Sequence, residues 1–335
     1  MFRGKTIFKD KTTKIAVIGG NISTLTLLKK LSQYGFVNVK VWSFIPENKI
    51  ETSGWTDLHG HSKELGFMST KFQKLIDCEN EIVEFKPSVL FAVGLSQLIP
   101  KKILDVPNCL SIGFHPTALP KGRGRAPLAW LILNQEDGAA TFFKLTEHID
   151  DGDILIQIPF QTSIEDDASS VEEKMLLAEE TALDHLFSEE GDQPITGFKQ
   201  NHLEASWTGQ RKPEDGRIDW QSECSDILKL IRAATAPHPG AFSFYKEHKI
   251  TIWKAERSDD CSIMGVIGRV VYVSEEGKNI FVQCRNGVIK ITNWESKSWV
   301  PKIGHKLGYD PEIEIFYLRK EIFRLRKELR EKGLM

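Results

Sequence analysis

The residues best suited to chemistry in this chain are a histidine and an aspartate, each downstream of an apolar segment. His115 follows the apolar run 107–112, and Asp150 opens the acidic tetrad Asp-Asp-Gly-Asp at 150–153. A carboxylate beside an imidazole orients the ring and stabilises its protonated form, as removal of a proton from an amine during acyl transfer requires. The pair therefore predicts a general base, His115, with Asp150 as its orienter. For the His-Pro step alone, the competing interpretation is a histidine that closes a turn.

A segment rich in glycine and cations directly follows the histidine and favours a site over a simple turn. It reads Lys121-Gly-Arg-Gly-Arg125. Gly122 and Gly124 allow the backbone to approach a ligand closely, because glycine has no side chain. Lys121, Arg123 and Arg125 offer positive charge to an anionic group. We therefore expect a negatively charged ligand near this segment.

Alternating strands and helices must position these residues. An apolar strand at 14–18 precedes leucines at helical spacing at 23–31, and further strands are predicted at 37–44, 88–93 and 108–112. This alternation is typical of a mostly parallel sheet covered by helices on both faces, and such sheets bind ligands at the carboxyl ends of their strands. The Gly-x-Gly-x-x-Gly pattern is absent, which argues against a dinucleotide.

The pattern changes in the C-terminal half of the chain. Short strands separated by turn residues are predicted between residues 240 and 294, which suggests a small β-barrel. We therefore divide the chain into a catalytic domain at 1–202, a linker with a barrel-like domain at 203–300, and a helical tail at 301–335.

The tail has the features of an amphipathic helix. Asp310 is a good N-cap, and Pro311 suits the first helical position. Spacings of three and four residues, the seam of a coiled coil, separate the apolar residues Ile315, Leu318, Ile322, Leu325 and Leu329. This seam covers about two heptads, so a homodimer and docking on the chain's own body both stay open. The basic residues between them form either a solvated face or a contact with tRNA.

Composition limits the class of protein. With 335 residues, 41% of them hydrophobic and 27% charged, the chain is long enough for two globular domains. The net charge of -2 gives no general basic field and argues against a nucleic-acid partner, although a local patch could still bind tRNA. No apolar run reaches the roughly 20 residues that span a bilayer, and residues 1–10 lack the apolar core of a secretory signal. We expect a cytoplasmic protein that does not enter a membrane.

The spacing of the cysteines and histidines predicts neither a disulfide nor a metal site. The five cysteines are widely spaced, odd in number and without a Cys-x-x-Cys pair, as expected for free thiols in a reducing compartment. His59 and His61 could chelate a metal through alternate imidazoles, but no third ligand follows at a useful spacing. We expect this pair to lie in a solvated loop.

The order of the motifs resembles the catalytic segment of the folate-dependent formyltransferases, the family of methionyl-tRNA formyltransferase and the sugar N-formyltransferases. In that family a histidine and a Leu-Pro step lead into Arg-Gly-x-x-Pro, and Asp-x-Gly-Asp follows. This chain has His115, Leu119-Pro120, Arg123-Gly-Arg-Ala-Pro127 and Asp150-Asp-Gly-Asp153. The resemblance covers residues 14–299. It implies a Rossmann-like N-terminal domain of the formyltransferase fold and a smaller OB-like C-terminal barrel.

The resemblance also implies the ligands. The co-substrate would be 10-formyltetrahydrofolate, without a metal, and the residues expected to hold its pterin are Phe91, Gly94, Leu95, Ser96, Leu98, Thr146, His148 and Ile149. The implied acceptor is the amine of a UDP- or dTDP-linked amino sugar, because the segment Arg211-Lys-Pro-Glu-Asp215 resembles that branch of the family. Methionyl-tRNA formyltransferase is the alternative. The residues expected to bind this substrate, in part through bidentate guanidinium contacts with phosphate, are Lys121, Arg125, Arg211 and Lys212.

One catalytic position departs from the family. The family has an asparagine two positions before the histidine, and this chain has Gly113 there. The asparagine amide is thought to stabilise the oxyanion, and loss of one such donor costs about 10²- to 10³-fold in rate. The remaining donors are the Gly113 N–H, the hydroxyls of Ser111 and Thr117, a bound water and doubly protonated His115. Two hypotheses follow: an active enzyme with a rearranged oxyanion site, and a catalytically silent binding protein.

Overall fold

The chain forms two compact units. The computed structural model describes residues 6–47, 54–188, 197–258, 264–309 and 311–334. The first unit contains residues 1–215 and 232–239, and the second contains 216–231 and 240–335.

A seven-stranded sheet forms the centre of the first unit. The strands of this unit in the described residues are β1 (Ile15–Gly19), β2 (Val39–Phe44), β3 (Met68–Phe72), β4 (Val89–Val93), β5 (Leu110–His115), β6 (Arg123–Gly124), β7 (Gly138–Lys144), β8 (Ile154–Phe160) and β9 (Trp207–Thr208). The order in the sheet is β3-β2-β1-β4-β5-β7-β8, in which β7 runs antiparallel to both of its neighbours, β5 and β8, and the other neighbouring strands pair in parallel. The short strands β6 and β9 pair separately in parallel.

Helices cover both faces of this sheet. Those of the first unit are α1 (Thr6–Lys9), α2 (Ile22–Gln33), α3 (Leu58–Glu64), α4 (Glu79–Phe85), α5 (Lys101–Leu104), α6 (Pro127–Asn134) and α7 (Ala168–Phe187). Ile15 and Val17 of β1 belong to one buried cluster with side chains of α2 and α7, whereas Ala16 and Ile18 belong to another with Ile82 of α4. This division follows the two-residue period of a strand. The predicted α/β fold, a mostly parallel Rossmann-like sheet, is confirmed.

The loop after β1 helps to fix the sheet edge at which β1 and β4 end. Asn21 caps α2 by accepting the Thr24 N–H at 3.2 Å, and Thr24 Oγ1 donates to the Val93 carbonyl at 2.7 Å. Gly94 has φ +63°, and the Asn21 side chain occupies the space that a side chain at Gly94 would need. These contacts therefore fix the backbone at the first residue of the predicted ligand loop 94–98.

One local prediction is wrong. His59 and His61 lie on the helix α3 and not in a solvated loop. Buried Leu58 and Ser62 hold this helix, and the Ser62 hydroxyl donates to the Leu58 carbonyl at 2.6 Å. His61 lies 3.2 Å from the carboxylate of Glu64, one turn later on the helix.

The second unit is built on an antiparallel sheet. Its strands in the described residues are β10 (Ala241–Tyr245), β11 (His248–Arg257), β12 (Val270–Val273), β13 (Ile280–Cys284) and β14 (Gly287–Glu295), paired in the order β10-β11-β14-β13-β12. Fully buried side chains on one face of this sheet include Ile250, Val282 and Ile291. The predicted smaller OB-like domain of short strands is confirmed as an open antiparallel half-barrel.

Two further α-helices follow in the described residues. They are α8 (Cys224–Ala234) and the C-terminal α9 (Pro311–Glu331). The predicted C-terminal helix is thus confirmed, and none of its residues is buried. Within the described ranges, the helices are all too short or too polar to cross a membrane.

Candidate active site

The strand β5 delivers the predicted base to the ligand-binding edge of the sheet. Its last residue, His115, pairs with Thr141 of β7, and Gly113 pairs with Ala92 of β4 on one side and Phe143 of β7 on the other. The parallel strands β1, β4 and β5 all end at this edge, where ligands bind in sheets of this kind. His115 is 5% exposed, so the fold holds its imidazole firmly.

Two groups face the two ring nitrogens of His115. Nε2 lies 2.8 Å from the carbonyl oxygen of Gly122, and Nδ1 lies 3.6 Å from Oδ2 of Asp150. A carbonyl oxygen can only accept, so Nε2 carries a proton and the lone pair of the neutral ring is on Nδ1. The Gly122 carbonyl therefore sets the tautomer. The Asp150 carboxylate faces Nδ1, the nitrogen that would take up a second proton.

Asp150 is held at both its side chain and its backbone. The Gly124 N–H donates to Oδ2 at 2.9 Å. The Gln200 amide donates to the carbonyls of Asp150 and Gly152 at 2.9 and 2.8 Å. Asp150 has φ +52°, a left-handed conformation that aspartate adopts more readily than most residues. These bonds fix the carboxylate opposite His115.

The predicted role of Arg123 as a cation for an anionic ligand is wrong. Its side chain is 2% exposed and donates to Oε1 of Gln200 at 2.6 Å, with His202 Nδ1 at 3.2 Å. Its guanidinium also lies over the Trp207 ring, 5.3 Å from the centroid. Arg123 therefore positions Gln200, which in turn holds the Asp150 loop. Sequence reasoning missed Gln200, because nothing in its own segment marks it out.

The two glycines beside Arg123 also differ from expectation. They bring backbone close to other parts of the chain and not to a ligand: Gly122 supplies the carbonyl for His115, and Gly124 supplies the N–H for Asp150. Gly124 has φ +111°, and a side chain there would meet the Thr208 carbonyl oxygen at 2.4 Å. Glycine is required at this position by both its conformation and its neighbour.

The position of the missing asparagine is filled by apolar side chains. A Cβ atom on Gly113 would lie 2.7 Å from Leu145 Cδ2 and 2.8 Å from Phe143 Cζ. The Thr117 hydroxyl, an alternative donor, is engaged with the Lys121 carbonyl at 2.8 Å. The Ser111 hydroxyl points to Cys109 Sγ at 3.9 Å. No side-chain amide replaces the asparagine at the Gly113 position of the strand.

A cavity of about 520 Å³ adjoins the Asp150 loop. Its lining contains the predicted residues Thr146 and His148 and is completed by Lys144, Leu145, Asp151, Gly152, Asp153, Lys199, Gln200 and His202. The volume is typical of a small-molecule site. Carboxylates, an amide and imidazoles in the lining suit a heterocycle that carries both donors and acceptors.

The other residues predicted to hold the pterin differ in their surroundings. Phe91 is fully buried in the core, so its side chain shapes the strand and does not reach a ligand. Leu98 and Ile149 are exposed at 77% and 48%. The Ser96 carbonyl accepts a bond from Arg125 Nη1 at 3.0 Å, which links the loop 94–98 to the segment after His115. Leu95 is half-buried against the core cluster.

The predicted substrate residues fall into two groups. Arg211 is half-buried, its guanidinium lies over the Trp130 ring at 5.6 Å, and burial lowers its pKa. The Arg125 N–H donates to Thr208, three residues before Arg211. Lys121 and Lys212 are exposed, and Lys212 lies 3.9 Å from Glu214. The chain therefore places Arg125 and Arg211 around one short strand, while both lysines face solvent.

Sequence comparison assigns most of the chain to one family. Residues 14–186 match the family described as formyl transferase, and residues 211–299 match the formyl transferase C-terminal domain. The chain belongs to the formyl transferase family. The predicted resemblance is thus confirmed at the level of the family. Among the described residues, no cluster of three or more histidine, cysteine or acidic side chains could hold a metal ion.

Solved structures of formyl transferases share this fold at low sequence identity. The N-formyltransferase from Helicobacter canadensis, solved with folinic acid and dTDP-3-aminofucose, is 20% identical with a TM-score of 0.62, over 85% of this chain and all (100%) of that chain. The methionyl-tRNA formyltransferase from Clostridium thermocellum is 20% identical with a TM-score of 0.52, over 74% of this chain and 95% of its own. HypX from Aquifex aeolicus, solved with tetrahydrofolic acid, is 18% identical with a TM-score of 0.56, over 85% of this chain. This chain spans only 44% of the length of that HypX structure.

Proposed function

We propose that this chain transfers a formyl group from 10-formyltetrahydrofolate to the amine of a nucleotide-linked amino sugar. The observation that carries the proposal is the geometry of His115. Its Nε2 proton is committed to the Gly122 carbonyl, and its Nδ1 lone pair faces the Asp150 carboxylate at 3.6 Å. A base with a fixed tautomer and an anion beside its free nitrogen is suited to accept a proton from an attacking amine.

The proton transfer is the step that these residues perform. The acceptor nitrogen loses one proton as it gains the formyl group, and His115 Nδ1 takes that proton. Asp150 stabilises the resulting imidazolium because its carboxylate lies within ion-pair distance. His115 then gives this proton to the nitrogen of the folate that carried the formyl group, and tetrahydrofolate leaves. In this proposal Asp150 acts through its charge, while the Gly122 carbonyl orients the ring.

The cavity beside Asp150 fits the co-substrate in size and in chemistry. When bound, 10-formyltetrahydrofolate supplies the activated formyl group. Thr146 and His148 line the cavity, together with the carboxylates of Asp151 and Asp153. These groups match a pterin, which carries an amino group, a ring N–H and a carbonyl. The loop 94–98 would close the other side of that site.

A diphosphate would meet Arg125 and Arg211. Burial disfavours the charged form of Arg211 and lowers its pKa, whereas the charge of Asp215 favours the charged form, as a phosphate would. The guanidinium also has a flat aromatic support in Trp130 at 5.6 Å. The sugar-nucleotide acceptor is further supported by the relative from Helicobacter canadensis, which was solved with dTDP-3-aminofucose.

The test is release of tetrahydrofolate from 10-formyltetrahydrofolate with a panel of UDP- and dTDP-linked amino sugars, beside charged initiator tRNA. We expect turnover with one sugar nucleotide and a weak dependence on salt. Turnover only with tRNA, falling steeply with salt, would replace this proposal by methionyl-tRNA formyltransferase. Folate binding without turnover on any acceptor would identify a silent binding protein.

A pair of variants tests the diphosphate contact. Arg211→Lys keeps the charge but loses the planar fork and the stacking on Trp130, so KM for the sugar nucleotide should rise about tenfold. The KM for the folate should stay unchanged. Arg217→Lys is the matched control, because it makes the same substitution at an exposed arginine outside the predicted substrate residues. An equal effect of both variants would remove Arg211 from the proposed site.

A further inference from the structure

The C-terminal helix α9 leaves a continuous apolar stripe uncovered. The helix is 21 residues long, and none of its residues is buried. The exposed fractions of the stripe residues are 48% for Ile315, 55% for Leu318, 48% for Ile322, 44% for Leu325 and 38% for Leu329. An exposed patch of this kind in a globular protein marks an interaction surface.

The residue types along the stripe specify the partner helix. In a heptad lettered a to g, Ile315, Ile322 and Leu329 occupy a positions, and Leu318 and Leu325 occupy d positions. A β-branched residue at a with leucine at d favours two parallel strands over trimers and tetramers. The stripe therefore matches a second helix of its own kind.

The charges beside the stripe specify the orientation. All three g positions are glutamates, Glu314, Glu321 and Glu328, and the e positions of the helix are arginines, Arg319 and Arg326. In a parallel pair, each g residue faces the e residue of the following heptad on the other strand. Glu314 would then face Arg319 of the second copy, and Glu321 would face Arg326. An antiparallel pair would place like charges opposite each other, which opposes association.

We infer that α9 pairs with α9 of a second copy of this chain as a parallel, in-register, two-stranded coiled coil. Within one helix, Arg324 already bonds Glu321 at 2.9 Å and Glu328 at 2.8 Å. These bonds lie along the exposed surface of the helix and would have to be exchanged, at Glu321, for the pair with Arg326 of the second copy. A seam of five layers is short, so the dimer dissociates on dilution. This inference does not depend on the proposed reaction.

The first test reverses the charges in the full-length chain and measures mass by sedimentation or light scattering. The wild type should approach twice its 38.0 kDa mass as concentration rises. Glu314→Arg with Glu321→Arg should weaken the dimer at least tenfold, and so should Arg319→Glu with Arg326→Glu. An equimolar mixture of the two variants should recover it. The control Lys320→Glu lies at an f position, outside the seam.

Several results of this test would overturn the inference. A wild type that stays monomeric up to about 100 μM would show that the stripe does not pair, because stable specific complexes form well below that concentration. A dimer that both reversed variants retain would place the interface elsewhere. A mass of three or four chains would exclude the two-stranded form.

The second test measures orientation. Leu329→Cys at an a position should form an intermolecular disulfide when the thiols are oxidised with diamide, because in-register parallel strands bring this residue against its own copy. Lys320→Cys, at an outer f position, and the wild type should not. In an antiparallel pair, a positions face d positions, so position 329 would lie near Leu318 of the other strand. Failure of Leu329→Cys to cross-link, or equal cross-linking of Lys320→Cys, would overturn the parallel arrangement.

Discussion

The two sides of the end of β5 are built in opposite ways. On the side of His115, polar groups face both ring nitrogens. The Gly122 carbonyl lies 2.8 Å from Nε2, and the Asp150 carboxylate lies 3.6 Å from Nδ1 and accepts an N–H at 2.9 Å. On the side of Gly113, Leu145 and Phe143 fill the space in which the family has an amide. In the proposed enzyme, the residues that would move a proton are in place, whereas the side chain that would stabilise the oxyanion is absent.

This difference separates two requirements of acyl transfer. Proton transfer needs a fixed base, and the network from Arg123 through Gln200 to Asp150 supplies its surroundings. Stabilisation of the developing negative charge needs a donor, which the apolar contact at Gly113 does not provide. In the proposed enzyme, the second requirement falls to the imidazolium of His115 or to a bound water. Variants on the polar side and on the apolar side test these two requirements separately.

The largest effect is expected on the polar side. His115→Ala removes the base, and positioned general bases contribute about 10²- to 10⁴-fold, so kcat should fall by about 10³-fold. The measurement is initial-rate release of tetrahydrofolate with the acceptor found in the panel. His61→Ala, a surface histidine of the same unit, is the control and should keep full turnover. Wild-type rates in His115→Ala would remove His115 from the mechanism.

A smaller loss is expected when only the charge beside the base is removed. Asp150→Asn can still accept the Gly124 N–H through its amide oxygen, so the loop should stay in place while the anion opposite Nδ1 disappears. We expect kcat to fall by about 10²-fold, since the carboxylate stabilises the imidazolium. Asp150→Ala should lose more, because it also frees the Gly124 N–H. Wild-type turnover in Asp150→Asn, with a loss only in Asp150→Ala, would mean that Asp150 acts through loop geometry alone.

On the apolar side, restoring the family residue should damage the fold. Gly113→Asn forces a side chain against Leu145 and Phe143, and overpacking of this kind costs about 1–3 kcal/mol. The free energy of unfolding in urea measures the loss. Leu145→Ala in the same chain should relieve it, so the double variant should be more stable than the sum of the single effects. Additive effects would show that Leu145 does not occupy the asparagine space.

The smallest effect concerns a buried carboxyl group outside the site. At this group, burial is the main influence on the pKa. Glu179 is fully buried in α7, and burial raises its pKa well above the usual range. The folded state therefore keeps a proton that the unfolded chain releases above about pH 4.3. The stability from this group is present at low pH and is lost as pH rises.

The variant Glu179→Gln tests that pH dependence, because it stays neutral throughout. Between pH 4 and pH 8 the wild type should lose stability relative to this variant by on the order of 1 kcal/mol. Denaturant unfolding of both proteins at the two pH values measures the difference, and Glu180→Gln on the same helix is the exposed control. A difference that is constant with pH would mean that Glu179 is ionised in the folded state.

The fold and the juxtaposition of His115 with Asp150 were predictable from sequence because their signals are local. Apolar runs alternate with helical spacing from residue 14 onward, and His115 stands in a recognisable order of motifs with Leu119-Pro120 and Asp150. The burial of Arg123 was not predictable, because its partner Gln200 comes 77 positions later in a polar segment without a recognisable motif. A cation in a glycine-rich stretch gives the same pattern whether it faces a ligand or is buried.

The apolar side chains that occupy the space beside Gly113 could not be predicted, for the same reason. The loss of the asparagine is visible in the sequence, but the side chains that take its space come from β7 and the residue after it. Phe143 pairs with Gly113 across an antiparallel ladder, and the two strands are joined by the long segment 116–137, which contains α6 and does not fix their register locally. The orienting carbonyl of Gly122 was likewise invisible, because a backbone group has no residue type to read.

The most direct test of the central claim, that this site is active without the family asparagine, is a paired measurement on the wild type. Calorimetric titration with 5-formyltetrahydrofolate gives binding, and tetrahydrofolate release from 10-formyltetrahydrofolate with the amino-sugar panel gives turnover. We predict binding together with turnover at least about 10³-fold above the rate without protein, as general-base catalysis and positioning supply. Binding with release at the uncatalysed rate would contradict the claim and make the site a folate-binding pocket only.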